Sequence, residues 1–246
     1  MTRNTEFEAR AKGVMLGLAC GDALGRPVEF STASQIAQEH GTVTEMLGHG
    51  SHNQPAGTIT DDTEMALCIA RSLTESGHFD PEDIAGRFVA WYDSDPFDIG
   101  GMTRRALRRI QNGTSWETAG ECEWEESPEG SNAGNGSIMR CEPLAIAYAN
   151  YPAALVRTSI DSSRITHADP RCTYGCAVLN LTIAAALQGQ ENSLGTALNH
   201  LSEDLATSLQ QTTGVVPDGA SPVLEGGLPE ELRTALEAVP DSLDST

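Results

Sequence analysis

Gly57-Thr58-Ile59-Thr60-Asp61-Asp62-Thr63-Glu64 runs directly into Met65-Ala66-Leu67-Cys68-Ile69-Ala70-Arg71-Ser72-Leu73. Met65, Ile69 and Leu73 recur at helical period, so an amphipathic helix is expected to open at the acidic cluster. A Thr or Asp at such a start caps backbone N–H groups that lack a partner, and Asp61 with Glu64 has the spacing of a capping box. A cap needs one oxygen acceptor, however, whereas Thr60, Asp61, Asp62, Thr63 and Glu64 crowd five oxygen-bearing side chains together. Hard divalent cations take several such oxygens, and a cation makes adjacent like charges tolerable. An acidic helix cap and a metal site are both open readings of this segment.

The helical period continues on either side. Ile84, Phe88 and Tyr92 repeat it, as do Met102, Ala106 and Ile110, and alternating strand patterns are missing. Further helices are expected over residues 8 to 24, 137 to 150, 153 to 163, 170 to 188, 194 to 209 and 228 to 239. The fold class that follows is all-α, in one globular domain. In the first helix Gly13, Gly17 and Gly21 form a bare stripe. Each Gly lowers helix stability by roughly 1 kcal/mol, so the stripe is expected to let another helix approach closely. Two long loops are expected, residues 41 to 60, rich in Gly and His, and residues 113 to 136, rich in Gly, Glu, Ser and Asn. Functional groups collect in loops that a rigid scaffold holds.

A chain of 246 residues can bury one sizeable core. The apolar run Val14 to Cys20 is far shorter than the roughly 20 residues of a membrane span, and Glu6, Glu8 and Arg10 do not resemble a secretory leader. A cytoplasmic protein with no membrane partner is the expectation. Asp and Glu total 35 against 15 Lys and Arg, of which Lys12 is the single lysine, giving a net charge of −20. That balance argues against nucleic acid as a bulk partner. It resembles the solvated acidic surface of a protein adapted to high salt, where screening relieves self-repulsion.

Cys20, Cys68, Cys122, Cys141, Cys172 and Cys176 contain no C-x-x-C pair and read as reduced, small core residues. Cys172 and Cys176 share a helix face near His167, but no fourth ligand at zinc spacing accompanies them. The second loop ends in Asn132-Ala133-Gly134-Asn135-Gly136-Ser137-Ile138-Met139-Arg140. Its glycines permit close backbone approach, and a helix starting at Ser137 would present N–H groups to an anion such as a pyrophosphate. No Gly-Lys-Ser/Thr follows and no strand precedes it, which excludes a Walker A loop and a dinucleotide fingerprint. An ordinary Gly-rich helix entry is the alternative.

These segments occur together in a recognisable order: Gly13 to Gly25 with Val28-Glu29-Phe30, Thr60-Asp61-Asp62-Thr63, Asp98-Ile99-Gly100, Gly134 to Arg140, and Thr166-His167-Ala168-Asp169-Pro170. In that order and spacing, over about residues 8 to 190, the chain resembles the ADP-ribosylglycohydrolases, particularly the bacterial dinitrogenase reductase-activating type. The resemblance implies a single compact orthogonal helical domain around a binuclear Mg²⁺ or Mn²⁺ centre. It implies cleavage of the N- or O-glycosidic bond between ADP-ribose and a protein side chain or small molecule. By the same resemblance Thr60, Asp61 and Asp62 match metal ligands, Glu29 a mobile glutamate that closes over the site, and Asp98 an acid near the scissile bond. Asn135, Gly136 and Ser137 match a diphosphate-binding loop, and His167 a residue near the ADP-ribose pocket. Carboxylates suit an oxocarbenium-like transition state, because they stabilise positive charge at the anomeric carbon and relay a proton.

One departure stands out. Members of that family carry a later Asp-x-Asp-Thr ligand cluster after a Gly pair, whereas Gly226-Gly227 here leads into Leu228-Pro229. The expected organisation is therefore a C-terminally incomplete helical domain over residues 1–211, then a linker, a short helix and an acidic tail over residues 212–246. The leading expectation is a metal-dependent hydrolase whose missing ligands come from a separate chain or were lost by truncation, and a catalytically impaired ADP-ribose-binding remnant is the alternative.

Overall fold

The computed structural model describes residues 3–200, with side chains described from residue 5 to residue 197. Ten α-helices are described: α1 (Arg3–Gly25), α2 (Ala33–Glu39), α3 (Asp61–Ser76), α4 (Pro81–Tyr92), α5 (Gly101–Gln111), α6 (Trp116–Glu126), α7 (Glu142–Ala147), α8 (Pro152–Arg164), α9 (Pro170–Leu187) and α10 (Ser193–His200). No strand occurs among the described residues, as the helical period predicts. No described helix is long and apolar enough to cross a membrane. The boundary at 211/212 and the helix expected over 228 to 239 lie outside the described residues.

Local chemistry sets the helix starts. Asp80 accepts a hydrogen bond from Asp83 N at 3.0 Å with Pro81 in the first turn, and Asp169 accepts one from Arg171 N at 2.8 Å ahead of Pro170. The core joins Met65 and Ile69 of α3 to Ile84 and Phe88 of α4, Leu107 of α5, Leu144 of α7, Leu155 of α8 and Leu181 of α9. Helix α9 is buried nearly all round, with α7, α8 and α10 packed against it. A rigid floor is thereby placed under the loops that precede α3, α5 and α7.

Three expectations are corrected. The segment 113–136 is not a continuous loop, because α6 occupies its middle. Five glutamates in α6 mask an apolar edge in which Ala119 is fully buried, and Glu123, itself buried, pairs with Arg105 at 2.5 Å. The helix expected over 137–150 is broken: a 3₁₀ turn (Ile138–Arg140) precedes α7, and Pro143 sits in the first turn of α7, where a missing N–H is harmless. The Gly13/Gly17/Gly21 stripe carries no close helix contact among the described residues, since a Cβ at any of the three would meet nothing within 4 Å.

Candidate functional site

Thr60 is the N-cap of α3, its Oγ1 accepting from Asp62 N at 3.4 Å. Neither Asp61 nor Asp62 is used for capping. The Asp61/Glu64 capping box does not form, because Glu64 Oε2 instead accepts from Trp91 Nε1 at 2.6 Å. Thr60 is in turn held by Asp22 of α1, which accepts from Thr60 N and from Thr60 Oγ1, both at 2.9 Å. Asp22 also accepts from Thr63 N at 3.3 Å and Thr63 Oγ1 at 2.5 Å. Sequence reasoning missed Asp22, and the one available signal was a lone acid, Gly21-Asp22, within a helix of small residues.

Asp61 is 5% exposed, and its Oδ2 accepts from Gly100 N at 3.3 Å, which ties the start of α3 to the loop carrying Asp98. Glu29 follows the 3₁₀ turn Arg26–Val28. Between Glu29 and Asp98 lies His52, its Nε2 2.8 Å from Glu29 Oε2 and 3.4 Å from Asp98 Oδ2. Phe30 and Phe97 flank the imidazole, with ring centroids 6.0 Å and 5.7 Å away. One ligand atom from each of Glu29, His52 and Asp98 lies within 4.8 Å of the others, an arrangement that can hold a metal ion. Sequence reasoning found both carboxylates and missed His52, whose only signal was the density of histidines in residues 41–60.

Arg26 builds this corner. It is 2% exposed, and its guanidinium donates to the backbone carbonyls of Thr58 (3.2 Å), His49 (3.0 Å), Leu47 (3.3 Å), Gln54 (3.4 Å) and Pro55 (3.1 Å). A planar fork with five N–H groups suits such a task better than an ammonium. Gly50, at φ 62°, packs against the Pro27 backbone so closely that a Cβ there would collide with it. The loop bearing His52 is thus fastened to the turn bearing Glu29.

The electrostatics are those of an under-neutralised acidic cluster. Burial, then Asp98 and Glu29, push Asp61 up to about 6, while burial, Asp61, Asp22 and Glu29 push Asp62 up to about 7. Asp98 is also raised, chiefly by burial, with His52 opposing the shift. The donor chemistry of hydroxyl, carboxylates and one imidazole fits a divalent cation, which would relieve the crowding that raises Asp61 and Asp62.

The Gly-rich loop abuts this cluster through α5. A Cβ on Gly136 would stand 2.8 Å from His167 Cε1 and 2.9 Å from Thr103 Oγ1, so only glycine fits. Ser137 and His167 are each 2% exposed. Ser137 accepts from Ser163 Oγ at 2.8 Å, and His167 Nδ1 lies 2.8 Å from Thr166 Oγ1, which accepts from Arg140 Nη2 at 2.7 Å. Burial and Arg140 press His167 down to about 3, so its imidazole is neutral. Ser137 and His167 support the loop from beneath, whereas Asn135 is exposed. The expected fan of N–H groups after Ser137 is reduced, since Ile138 N and Met139 N donate to Asn135 O at 3.0 and 3.3 Å. The zinc arrangement around Cys172 and Cys176 is not formed, as Cys172 Sγ donates to Gly134 O at 3.2 Å and Cys176 Sγ to Ser137 Oγ at 3.5 Å.

The family model described as ADP-ribosylglycohydrolase matches residues 3–245. The chain is 40% identical over 182 residues to the ADP-ribosyl-[dinitrogen reductase] glycohydrolase of Rhodospirillum rubrum, covering 74% of this chain and 59% of that protein. It is 36% identical over 201 residues to the ADP-ribosylarginine hydrolase Tri1 of Pseudomonas putida (strain GB-1), covering 78% of this chain and 51% of that one. The chain thus spans between half and three-fifths of the length of these relatives. A solved structure titled ADP-ribosylglycohydrolase-related protein complex superposes with a TM-score of 0.66 at 34% identity, over 94% of this chain and 75% of that one.

Proposed function

Since the chain belongs to the ADP-ribosylglycohydrolase family, we propose that it hydrolyses the N- or O-glycosidic bond joining ADP-ribose to a protein side chain or small molecule. The observation that carries this reading is the convergence of Glu29, Asp61, Asp62 and Asp98, with the Gly-rich loop packed through Gly136 on Thr103 of the neighbouring α5. Asp98 and Glu29 would stabilise the positive charge of an oxocarbenium-like transition state and carry a proton to the leaving atom. Loop 132–137, with Asn135 exposed and Gly136 packed against Thr103 and His167, receives the diphosphate, and neutral His167 with Ser137 keeps its shape. Thr60, Asp61 and Asp62 would hold a divalent ion, Mg²⁺ or Mn²⁺. Bound there, such an ion supplies Lewis-acid charge for orienting ribose hydroxyls and water. Asp22 orients the Thr60 hydroxyl for that task.

The test is release of ADP-ribose from an ADP-ribosylated arginine peptide and from a small ADP-ribosyl compound, with Mn²⁺ or Mg²⁺ added and after chelation. Release that depends on the ion and is lost in Asp61→Asn and Asp62→Asn is the expected result, because each change removes an anionic ligand and keeps the side-chain shape. Absence of release with ADP-ribose still bound would favour a binding chain without turnover.

A further inference from the structure

Glu29, His52 and Asp98 reach one point from three separate loops, although sequence distance gives them no reason to meet. Among the described residues, the ion pairs of Glu29 and Asp98 are with His52 alone. A single Nε2–H cannot serve two carboxylates equally, and the two separations, 2.8 and 3.4 Å, differ accordingly. We infer that His52 is a metal ligand, and that Glu29 Oε2, His52 Nε2 and Asp98 Oδ2 form a mixed nitrogen–oxygen site for a first-row transition ion beside the all-oxygen donors of Thr60, Asp61 and Asp62. The inference rests on the reading of this cluster as a hydrolase centre, and it can fail independently of that reading.

Donors that share one ion at roughly 2.0–2.2 Å stand roughly 3–3.5 Å apart in tetrahedral or octahedral geometry. The 3.4 Å between His52 and Asp98 lies in that range, the 2.8 Å hydrogen bond to Glu29 would lengthen slightly, and all three ligand atoms lie within 4.8 Å of one another. The His52 ring is held in advance, between Phe30 and Phe97 and with a side chain 14% exposed. Phe30 adopts φ 64° beside the imidazole, its ring tilted at 55° to it. Rings placed on either side of a ligand restrict its orientation.

Metal preference follows from donor type. Imidazole favours Mn²⁺, Co²⁺ and Zn²⁺ in rising order, whereas Mg²⁺ prefers carboxylate, carbonyl and water oxygens and keeps much of its hydration. This chain should therefore prefer Mn²⁺ to Mg²⁺ at the His52 site.

Pulsed electron paramagnetic resonance of the full chain loaded with Mn²⁺ reads the ligand directly. Modulation from an imidazole ¹⁴N is expected in the wild type and in Asp62→Asn, and absent from His52→Gln. Calorimetric competition should show the Mn²⁺ over Mg²⁺ affinity ratio falling about tenfold or more in His52→Gln. The proposal is overturned if the wild type lacks the ¹⁴N signal, whether or not Mn²⁺ binds, a result that needs no variant to fold. An unchanged affinity ratio in a folded His52→Gln protein overturns it as well. Release of ADP-ribose with Mg²⁺ as the sole cation separates the two readings: release without a ¹⁴N signal sinks only the imidazole site, and the signal without release sinks only the hydrolase.

Discussion

Replacing Arg26 by Met removes a guanidinium that donates to five backbone carbonyls while keeping most of the apolar stem. Two of those carbonyls retain a backbone donor, Gln54 O from His49 N at 2.6 Å and Pro55 O from Thr58 N at 3.3 Å. The carbonyls of Thr58, His49 and Leu47 depend on the guanidinium among the bonds described. A buried acceptor left without a partner costs about 1–3 kcal/mol. Water can reach part of this loop, so the low end applies to each, and Arg26→Met should lower the unfolding free energy by about 3 kcal/mol. Urea denaturation followed by circular dichroism measures that change. Hydrogen exchange should show faster amides across residues 47–58 with α8 and α9 still protected, because the damage begins in the loop. Arg26→Lys should recover little, since three donors on a point charge cannot span five acceptors. A loss under about 0.5 kcal/mol, or full rescue by Arg26→Lys, would refute the assignment of Arg26 as the fastener of the His52 loop.

Gly136→Ala should cost about 1–3 kcal/mol through overpacking against His167 and Thr103, and it should weaken ADP-ribose binding measured by calorimetry more than it lowers Tm. Glu142, pushed up to about 7 by burial, holds its proton in the folded chain over a range where the unfolded chain, near 4.5, has lost it. Its contribution to stability is therefore complete below pH 4.5 and declines as pH rises to about 7, so Glu142→Gln should flatten the stability profile in that window and raise stability at pH 8. With a net charge of −20, the Tm should rise as KCl approaches molar concentration and the screening length falls to about 3 Å; a flat or falling Tm would remove the self-repulsion argument.

Helices α3, α4, α5 and α8 were legible because a 3.6-residue period is a local property, written wherever one face must be apolar, and α9 because its run is apolar nearly all round. Thr60, Asp61, Asp62 and the tight Gly136 were legible for a related reason: a helix start and a bare loop each leave a short contiguous mark. The remainder was decided in three dimensions. Helix α6 hid behind five glutamates, two of which, Glu123 and Glu126, are answered by arginines of α5, and the break at Cys141 depends on where Pro143 allows the chain to turn. The meeting of Glu29, His52 and Asp98, and the grip of Asp22 on Thr60, bring together residues from α1 and three loops. Those loops turn through positive φ at Phe30, His49, Asn53 and Asp95, conformations that no periodicity records. A period fixes which face of a helix is buried, while the position of a loop carboxylate depends on individual torsions and on long-range clamps such as Arg26, so the sequence named the acids and only the packed structure joined them to an imidazole.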